Sequence, residues 1–112
     1  MDIETLQRIC LSLPSATEDI KWGNDLCFSV GGKMFCACGL EPPLMITIKV
    51  EDDEFDELCS SSDIRMADYV GRYKWVTVEN AARFSVVEWE LRIKKSYSLI
   101  AARLPKKLRD NL

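Results

Sequence analysis

Apolar and polar residues follow two different periods along this chain, and the period changes from one segment to the next. The first segment begins with Asp2 as a helix N-cap, carries apolar residues at helical spacing and ends at Pro14. A second, longer segment opens with Ser85 and Glu88 at the spacing of a capping box. Its apolar positions recur every three or four residues, at Val86, Trp89, Ile93, Tyr97, Ile100 and Leu104. The pattern therefore predicts a helix near each end of the chain.

The middle of the chain alternates with a period of two instead. In residues 44–50 the aliphatic residues Leu44, Ile46, Ile48 and Val50 alternate with Met45, Thr47 and Lys49, which is typical of a half-buried strand. Residues 26–30 and 33–37 alternate in the same way and are joined by Gly31-Gly32. Glycine tolerates positive φ, so this pair predicts the two-residue turn of a β-hairpin. The remaining predicted elements are short strands at 20–23 and 75–78 and an acidic helix at 51–58.

These elements predict an α+β fold with a single antiparallel sheet of about five strands and helices packed on one face. A length of 112 residues fits one domain over residues 1–112. No apolar run approaches the roughly 18 residues that span a bilayer, and the N-terminus lacks the plan of a signal peptide. Five cysteines is an odd number, which favours reduced thiols over a disulfide framework. We therefore expect a cytoplasmic protein with no membrane partner.

A two-residue turn also determines which side chains share a face of the sheet. It places Phe28 opposite Phe35 on an apolar face, which would be the core, and Cys27 opposite Cys36 on the other. The second face is then semi-polar and is formed by Ser29, Met34, Cys36, Thr47 and Lys49. Antiparallel sheets often expose one face to water, so this face is either solvated or open to a partner, with Trp22 or Trp75 closing it.

The net charge of −3 conceals an asymmetry between the two halves of the chain. Residues 1–63 carry 4 basic and 13 acidic side chains, whereas residues 64–112 carry 11 basic and 5 acidic ones. The halves either attract each other or present an acidic and a basic surface. Basic and aromatic groups together are typical of nucleic-acid binding, although tryptophans also serve as core packing. The candidate residues for binding nucleic acid or another ligand are Trp22, Lys33, Lys49, Arg72, Trp75, Arg103, Lys106 and Lys107.

Little in the sequence suggests catalysis. The chain contains no histidine, which removes the commonest general base and zinc ligand. Cys36 and Cys38 lie two residues apart, but no fourth zinc ligand is evident and buried thiols explain them. The acidic run 51–57 could hold a hard cation, yet it lacks the glycine and the ligand spacing of a calcium loop. We expect no catalytic residue, no metal site and no cofactor, and hence not an enzyme.

Several short motifs, taken in order and spacing, resemble the MmcQ/YjbR family of small bacterial proteins over nearly the whole length. They are Leu13-Pro14, Lys21-Trp22-Gly23, Gly31-Gly32-Lys33-Met34-Phe35, Ile48-Lys49-Val50, Tyr73-Lys74-Trp75-Val76, and Ser96-Tyr97 followed by Leu104-Pro105-Lys106-Lys107. The resemblance implies a CyaY-like fold, also likened to the double-wing domain of a phage transcription factor. It implies DNA binding, and through the likeness to CyaY it raises iron binding by residues 51–57. We therefore expect a small non-enzymatic protein that binds DNA, or alternatively a small-ligand or protein-interaction domain using the open sheet face.

Overall fold

A six-stranded antiparallel sheet forms the centre of the computed structural model, which describes residues 1–112. The strands are β1 (Thr17–Lys21), β2 (Asp25–Val30), β3 (Lys33–Gly39), β4 (Ile46–Lys49), β5 (Ile64–Met66) and β6 (Trp75–Val78). The helices are α1 (Ile3–Leu11), α2 (Asp52–Cys59), α3 (Val86–Ala101) and α4 (Lys106–Arg109), with single 3₁₀ turns at Gly71–Tyr73 and Ala81–Arg83. None of the helices has both the length and the apolar character needed to cross a membrane.

The order of the strands across the sheet is β1-β2-β3-β4-β6-β5. The chain leaves the sheet after β4, forms α2, adds β5 at the far edge and then returns to place β6 beside β4. The predicted α+β fold with one antiparallel sheet is confirmed, and the strand number is six rather than about five. The additional strand, β5, has only three residues, which is too short for an alternating pattern to be recognised.

Local chemistry explains where the predicted elements begin. Asp2 Oδ1 accepts a hydrogen bond from the Thr5 amide at 2.8 Å, and Ser85 Oγ accepts one from the Glu88 amide at 3.2 Å. The Glu88 carboxylate contacts Arg92 at 3.1 Å instead of reaching back to Ser85, so only half of the capping box forms. In the hairpin turn, Gly31 and Gly32 both adopt positive φ, +56° and +80°, as a primed turn requires.

The hydrophobic core lies between one face of the sheet and the two longer terminal helices, α1 and α3. It contains 21 buried residues, and the largest fully buried side chain is Trp89 of α3. The Trp89 indole N–H donates to the Ala81 carbonyl at 2.8 Å, and the Tyr97 hydroxyl donates to the Pro14 carbonyl at 2.7 Å. Each large ring is thus buried with its polar atom paired, which avoids the cost of an unsatisfied group.

The predicted hairpin register is wrong beyond the first two pairs. Val30 opposes Lys33 and Ser29 opposes Met34, but Phe28 then opposes Cys36, because Phe35 is an extra residue in a β-bulge on β3. The bulge lets the consecutive side chains of Phe35 and Cys36 both enter the core. Cys36 therefore does not lie on the open face.

The same shift of register changes the partners of the other cysteines. Cys27 lies opposite Ala37 rather than Cys36, while Leu26 lies opposite Cys38. Cys38 joins the core, and every cysteine in the structure is a free thiol. The face of the sheet opposite the core consequently carries Ala37, its cross-strand neighbours and Cys27, although Cys27 itself is fully buried.

Element boundaries differ from the prediction at three other places. The first strand covers Thr17–Lys21, so Trp22 and Gly23 lie in the following turn and not in the strand. β4 begins only at Ile46, after the loop that contains Pro42 and Pro43. α3 ends at Ala101, four residues before the predicted stop at Pro105, and Pro105 instead serves as the N-cap of the short helix α4.

Candidate functional site

A row of mostly small side chains crosses the open face of the sheet from edge to edge. The strand registers place Asp19, Cys27, Ala37, Thr47, Thr77 and Arg65 opposite one another in that order, one residue from each strand. The middle of this row is shallow because its side chains are small. The Thr47 and Thr77 hydroxyls are hydrogen-bonded to each other at 2.8 Å, which leaves one hydroxyl hydrogen free to donate further.

This row is the floor of a concave depression, which we call the trough. The trough has a volume of about 700 Å³ and its floor is Ala37, Thr47 and Thr77. Met34 and Met45 line it as flexible apolar side chains. A volume of this size lies within the range of about 300–1,000 Å³ that is usual for small-molecule sites.

The two ends of the trough have similar chemistry. One end is the β1–β2 turn, with Trp22 and Asp25, and the other is the loop after β5, with Asp68 and Tyr69. The Trp22 side chain is 75% exposed and that of Tyr69 is 99% exposed, the highest values among the aromatic residues. Each end therefore presents an unburied aromatic ring beside a carboxylate.

Both of these aromatic residues have a left-handed backbone, with φ of +53° at Trp22 and +65° at Tyr69. Such a conformation costs an L-residue about 1–2 kcal/mol, which glycine avoids. We expect the free energy of unfolding of Trp22→Gly and Tyr69→Gly to stay within about 1 kcal/mol of the parent value, because relief of the backbone offsets the entropy of glycine. Urea denaturation measures this. A loss above about 2 kcal/mol would show that the rings stabilise the fold.

A second feature, the cationic end, lies where the hairpin turn meets the end of α3. It comprises Lys33, Lys49, Arg72, Lys74, Arg103, Lys106 and Lys107. A Cβ atom added to Gly31 would lie 2.7 Å from Leu104 Cδ1, so the hairpin turn contacts the chain directly after Arg103. Burial, and the neighbouring charges of Arg103 and Lys74, lower the pKa of Lys49. The Lys49 ammonium group donates to the Tyr73 carbonyl, which ties the end of β4 to the segment that carries Arg72 and Lys74.

The other basic residues of the second half are paired with carboxylates. Four of its eleven cations form ion pairs: Arg65, Arg83, Arg92 and Lys95. Lys95 contacts Glu51 at 2.7 Å, and that hydrogen bond raises the pKa of the lysine. Arg92 contacts Glu54 of α2 at 3.7 Å. The acidic and basic halves thus attract each other where α2 meets α3, and the remaining seven cations have no carboxylate within 4 Å.

The acidic run contains one group of carboxylates that could approach a cation. Carboxylate oxygens of Glu51, Asp53 and Glu54 lie within 4.8 Å of one another. Two of these three side chains, Glu51 and Glu54, already contact Lys95 and Arg92. The neighbouring cations neutralise most of the negative charge that would attract a metal ion.

The structure separates the eight residues that the sequence grouped as one binding site. Trp22 lies in the trough, at the end of β2 opposite to the hairpin turn. Trp75 and Lys49 are each only 6% exposed, so the Trp75 ring is not available for stacking. The members that belong to the cationic end are Lys33, Lys49, Arg72, Arg103, Lys106 and Lys107. No sequence signal pointed to Asp25 or Thr77, and Tyr69, an aromatic residue in a loop, was not among the eight candidates.

Comparisons with known proteins agree with this architecture. The family model described as YjbR matches residues 11–99. A crystal structure of the Deinococcus radiodurans protein DR2400, described as a DUF419 domain, superposes with a TM-score of 0.86 at 22% identity, covering 96% of this chain and 85% of that chain. A protein from Pseudomonas syringae superposes with a TM-score of 0.70 at 16% identity, covering 88% of this chain and 98% of that chain.

These two structures share the fold at identities that carry no statement about function. No protein with curated function matches the sequence significantly. The match to the family model covers most of the chain, including all six strands and α3 up to residue 99. This chain therefore belongs to the YjbR family.

Proposed function

We propose that this protein is a non-enzymatic binding protein and that its ligand occupies the trough. The observation that supports this most strongly is the trough itself, a floor of small side chains between two exposed aromatic rings. Exposed rings on strained backbone have no evident role in folding, and such features concentrate at functional sites. The alternative function suggested by the sequence, binding through the open sheet face, is the one that the geometry favours.

The chemistry of the trough supports binding rather than catalysis. The lining includes Cys38, whose side chain belongs to the core and is 3% exposed, and burial raises the pKa of that thiol to about 11. Cys38 is therefore protonated at neutral pH and is a poor nucleophile. No histidine is present anywhere in the chain to activate a hydroxyl such as that of Thr47 or Thr77.

Filling the floor of the trough tests the proposal. We expect Ala37→Met to abolish binding of small molecules that shift the amide NMR signals of the trough, because the longer side chain occupies their space. The free energy of unfolding should change little, since Ala37 lies on the open face and not in the core. Lys94→Met, on the exposed side of α3, is the matched control. Unchanged binding by Ala37→Met would contradict the proposal.

A second candidate function, DNA binding, is supported by the cationic end. Its cations come from the hairpin, the end of β4, the segment before β6, the residue Arg103 after α3 and the short helix α4, and none of them forms an ion pair with a carboxylate. Cations clustered in this way suit contacts with the phosphate backbone. The trough and the cationic end occupy different parts of the molecule, so the two functions are separately testable.

Salt dependence of DNA binding tests this second function. We expect duplex DNA to bind at low salt, and Lys106→Ala/Lys107→Ala to reduce the slope of log affinity against log salt by about 0.9 for each phosphate that the variant no longer neutralises. Fluorescence anisotropy with labelled DNA measures the slope. Trp22→Gly is the control and should leave it unchanged. Absence of binding at low salt would contradict this function.

A further inference from the structure

The trough contains more acidic than basic side chains, and its basic side chain is already paired with carboxylates. Its lining contains two carboxylates, Asp25 and Asp68, and one cation, Arg65. The Arg65 guanidinium lies 3.4 Å from Asp68 and 3.5 Å from Glu79, so two carboxylates already offset its charge. An anionic ligand would therefore find no free cation in the trough.

Asp25, in contrast, has no ion-pair partner. Lys21 lies opposite Asp25 in the strand register, but no cation approaches the Asp25 carboxylate within 4 Å. Asp25 is half-buried and shares its end of the trough with Trp22. A partly desolvated carboxylate without a partner attracts a positive charge more strongly than an exposed one does.

The aromatic rings of the trough are also without a cation. The chain contains four cation–π contacts, and these use the rings of Tyr73, Phe55 and Phe84. The rings of Trp22 and Tyr69, which are the most exposed, take part in none of them. Tryptophan provides the most favourable face for an ammonium group, and recognition of organic cations commonly uses such rings.

The uncharged residues of the lining indicate what kind of group the ligand carries besides its positive charge. Met34, Met45 and Ala37 are apolar, and about 700 Å³ exceeds the space that an ammonium group alone would need. A free hydroxyl hydrogen on Thr47 or Thr77 offers one polar contact near the centre. This combination matches a ligand with an apolar body and a positively charged group at one end.

We propose that the trough binds a small organic cation, with the positive charge held between Trp22 and Asp25 and the apolar body lying over Ala37 between the two methionines. This inference rests on the proposed function, because it names the class of ligand that the same trough accepts. It separates the trough from the cationic end, which has the opposite electrostatic preference.

Three probes of similar size test the inference by amide NMR titration of the full chain: phenyltrimethylammonium, benzyl alcohol and phenylacetate. We expect the cation to shift the signals of the trough and to bind about tenfold more tightly than the neutral or anionic probe. Asp25→Asn should weaken binding of the cation about tenfold and leave benzyl alcohol unaffected. Asp110→Asn, on the exposed C-terminal segment, is the matched control.

The outcomes distinguish this inference from the proposed function. Equal affinity for the cation and benzyl alcohol, or tighter binding of phenylacetate, would overturn the preference for a cation and leave the trough as a binding site. If none of the three probes shifts any amide signal of the trough, both the preference for a cation and the proposed function of the trough would be overturned. A lysine-containing peptide is titrated in the same way as a fourth probe. Binding of this peptide without a response to phenyltrimethylammonium would overturn the assignment to a small molecule.

Discussion

Replacing Ser96 with alanine is expected to lower the free energy of unfolding by about 2–6 kcal/mol, because one hydroxyl satisfies two buried backbone groups. Ser96 lies in α3 and is completely buried against the sheet. Its Oγ accepts a hydrogen bond from the Lys49 amide at 2.9 Å and donates one to the Phe35 carbonyl at 2.6 Å. Alanine leaves both groups without a partner, and each such group costs about 1–3 kcal/mol.

The bulge on β3 explains why the hydroxyl is needed. The β3–β4 register ends with Cys36 opposite Ile48, and one further step would place Phe35 opposite Lys49. Phe35 is the bulged residue, so the direct bond between these strands is replaced by the Ser96 bridge. The helix and the sheet are thereby joined by hydrogen bonds as well as by packing.

Urea denaturation at neutral pH measures the effect, with Ser98→Ala as the control because Ser98 is exposed on the same helix. Ser98→Ala should change the free energy of unfolding by no more than about 0.5 kcal/mol. A loss below about 1 kcal/mol in Ser96→Ala would show that the strands can close the gap by themselves.

Raising the pH above 9 is expected to destabilise the protein through its buried thiols. Burial raises the pKa of Cys38 from 9.0 to about 11, and contact with the Cys10 thiol together with burial raises that of Cys36 well above 9.0. The unfolded chain releases these protons first. Stability is therefore fully present below pH 9 and decreases as the pH rises toward the folded-state values.

The size of the effect follows from the size of the shift. Each pKa unit corresponds to about 1.4 kcal/mol, so Cys38 alone removes about 2 kcal/mol between pH 9 and 11, and the remainder of its contribution is lost above the folded-state pKa. Burial also raises the pKa of Tyr97, which acts in the same direction. The pKa of Lys49 is lowered, so that residue opposes the trend as it loses its proton at a lower pH in the folded state.

Free energies of unfolding at pH 7, 9, 10 and 11 under reducing conditions measure this dependence. The double variant Cys36→Ala/Cys38→Ala is less stable at pH 7 because it leaves cavities, but its stability should decrease less steeply with pH. Cys59→Ala is the comparison: Cys59 is only half-buried, and although burial also raises the pKa of its thiol, this variant should flatten the decrease less than the double variant does. An equally steep decrease in the double variant would exclude the thiols as the cause.

The elements that sequence predicted correctly depend on neighbouring residues. The Gly31-Gly32 turn, the caps at Asp2 and Ser85 and the apolar stripe of α3 all rest on the conformational preferences of residues within a few positions of one another. The α+β fold with helices on one face followed from these elements. The short strand β5 was missed because three residues are too few to show an alternation of apolar and polar side chains.

The candidate site was predicted only in part, because it depends on residues that are distant in the sequence. Trp22, Met34 and Thr47 were predicted to share the open face, but Asp25, Asp68 and Tyr69 were not placed there. Tyr69 and Asp68 reach the trough from a loop that lies far from Trp22 along the chain. The charge asymmetry left open whether the two halves attract each other, and the pairs of Arg92 with Glu54 and of Lys95 with Glu51 show that they do so in part.

The sequence by itself determined the elements, the apolar surface that must be buried and the opposite charges of the two halves. Only the tertiary structure decided the register, since one extra residue at Phe35 moves Cys36 to the core and changes every pair that follows. It also decided that Ser96 bridges two strands and that small side chains from different strands line up beneath Trp22 and Tyr69. The physical reason is that register and long-range contacts are chosen by the energy of the whole packed core, which no local pattern contains.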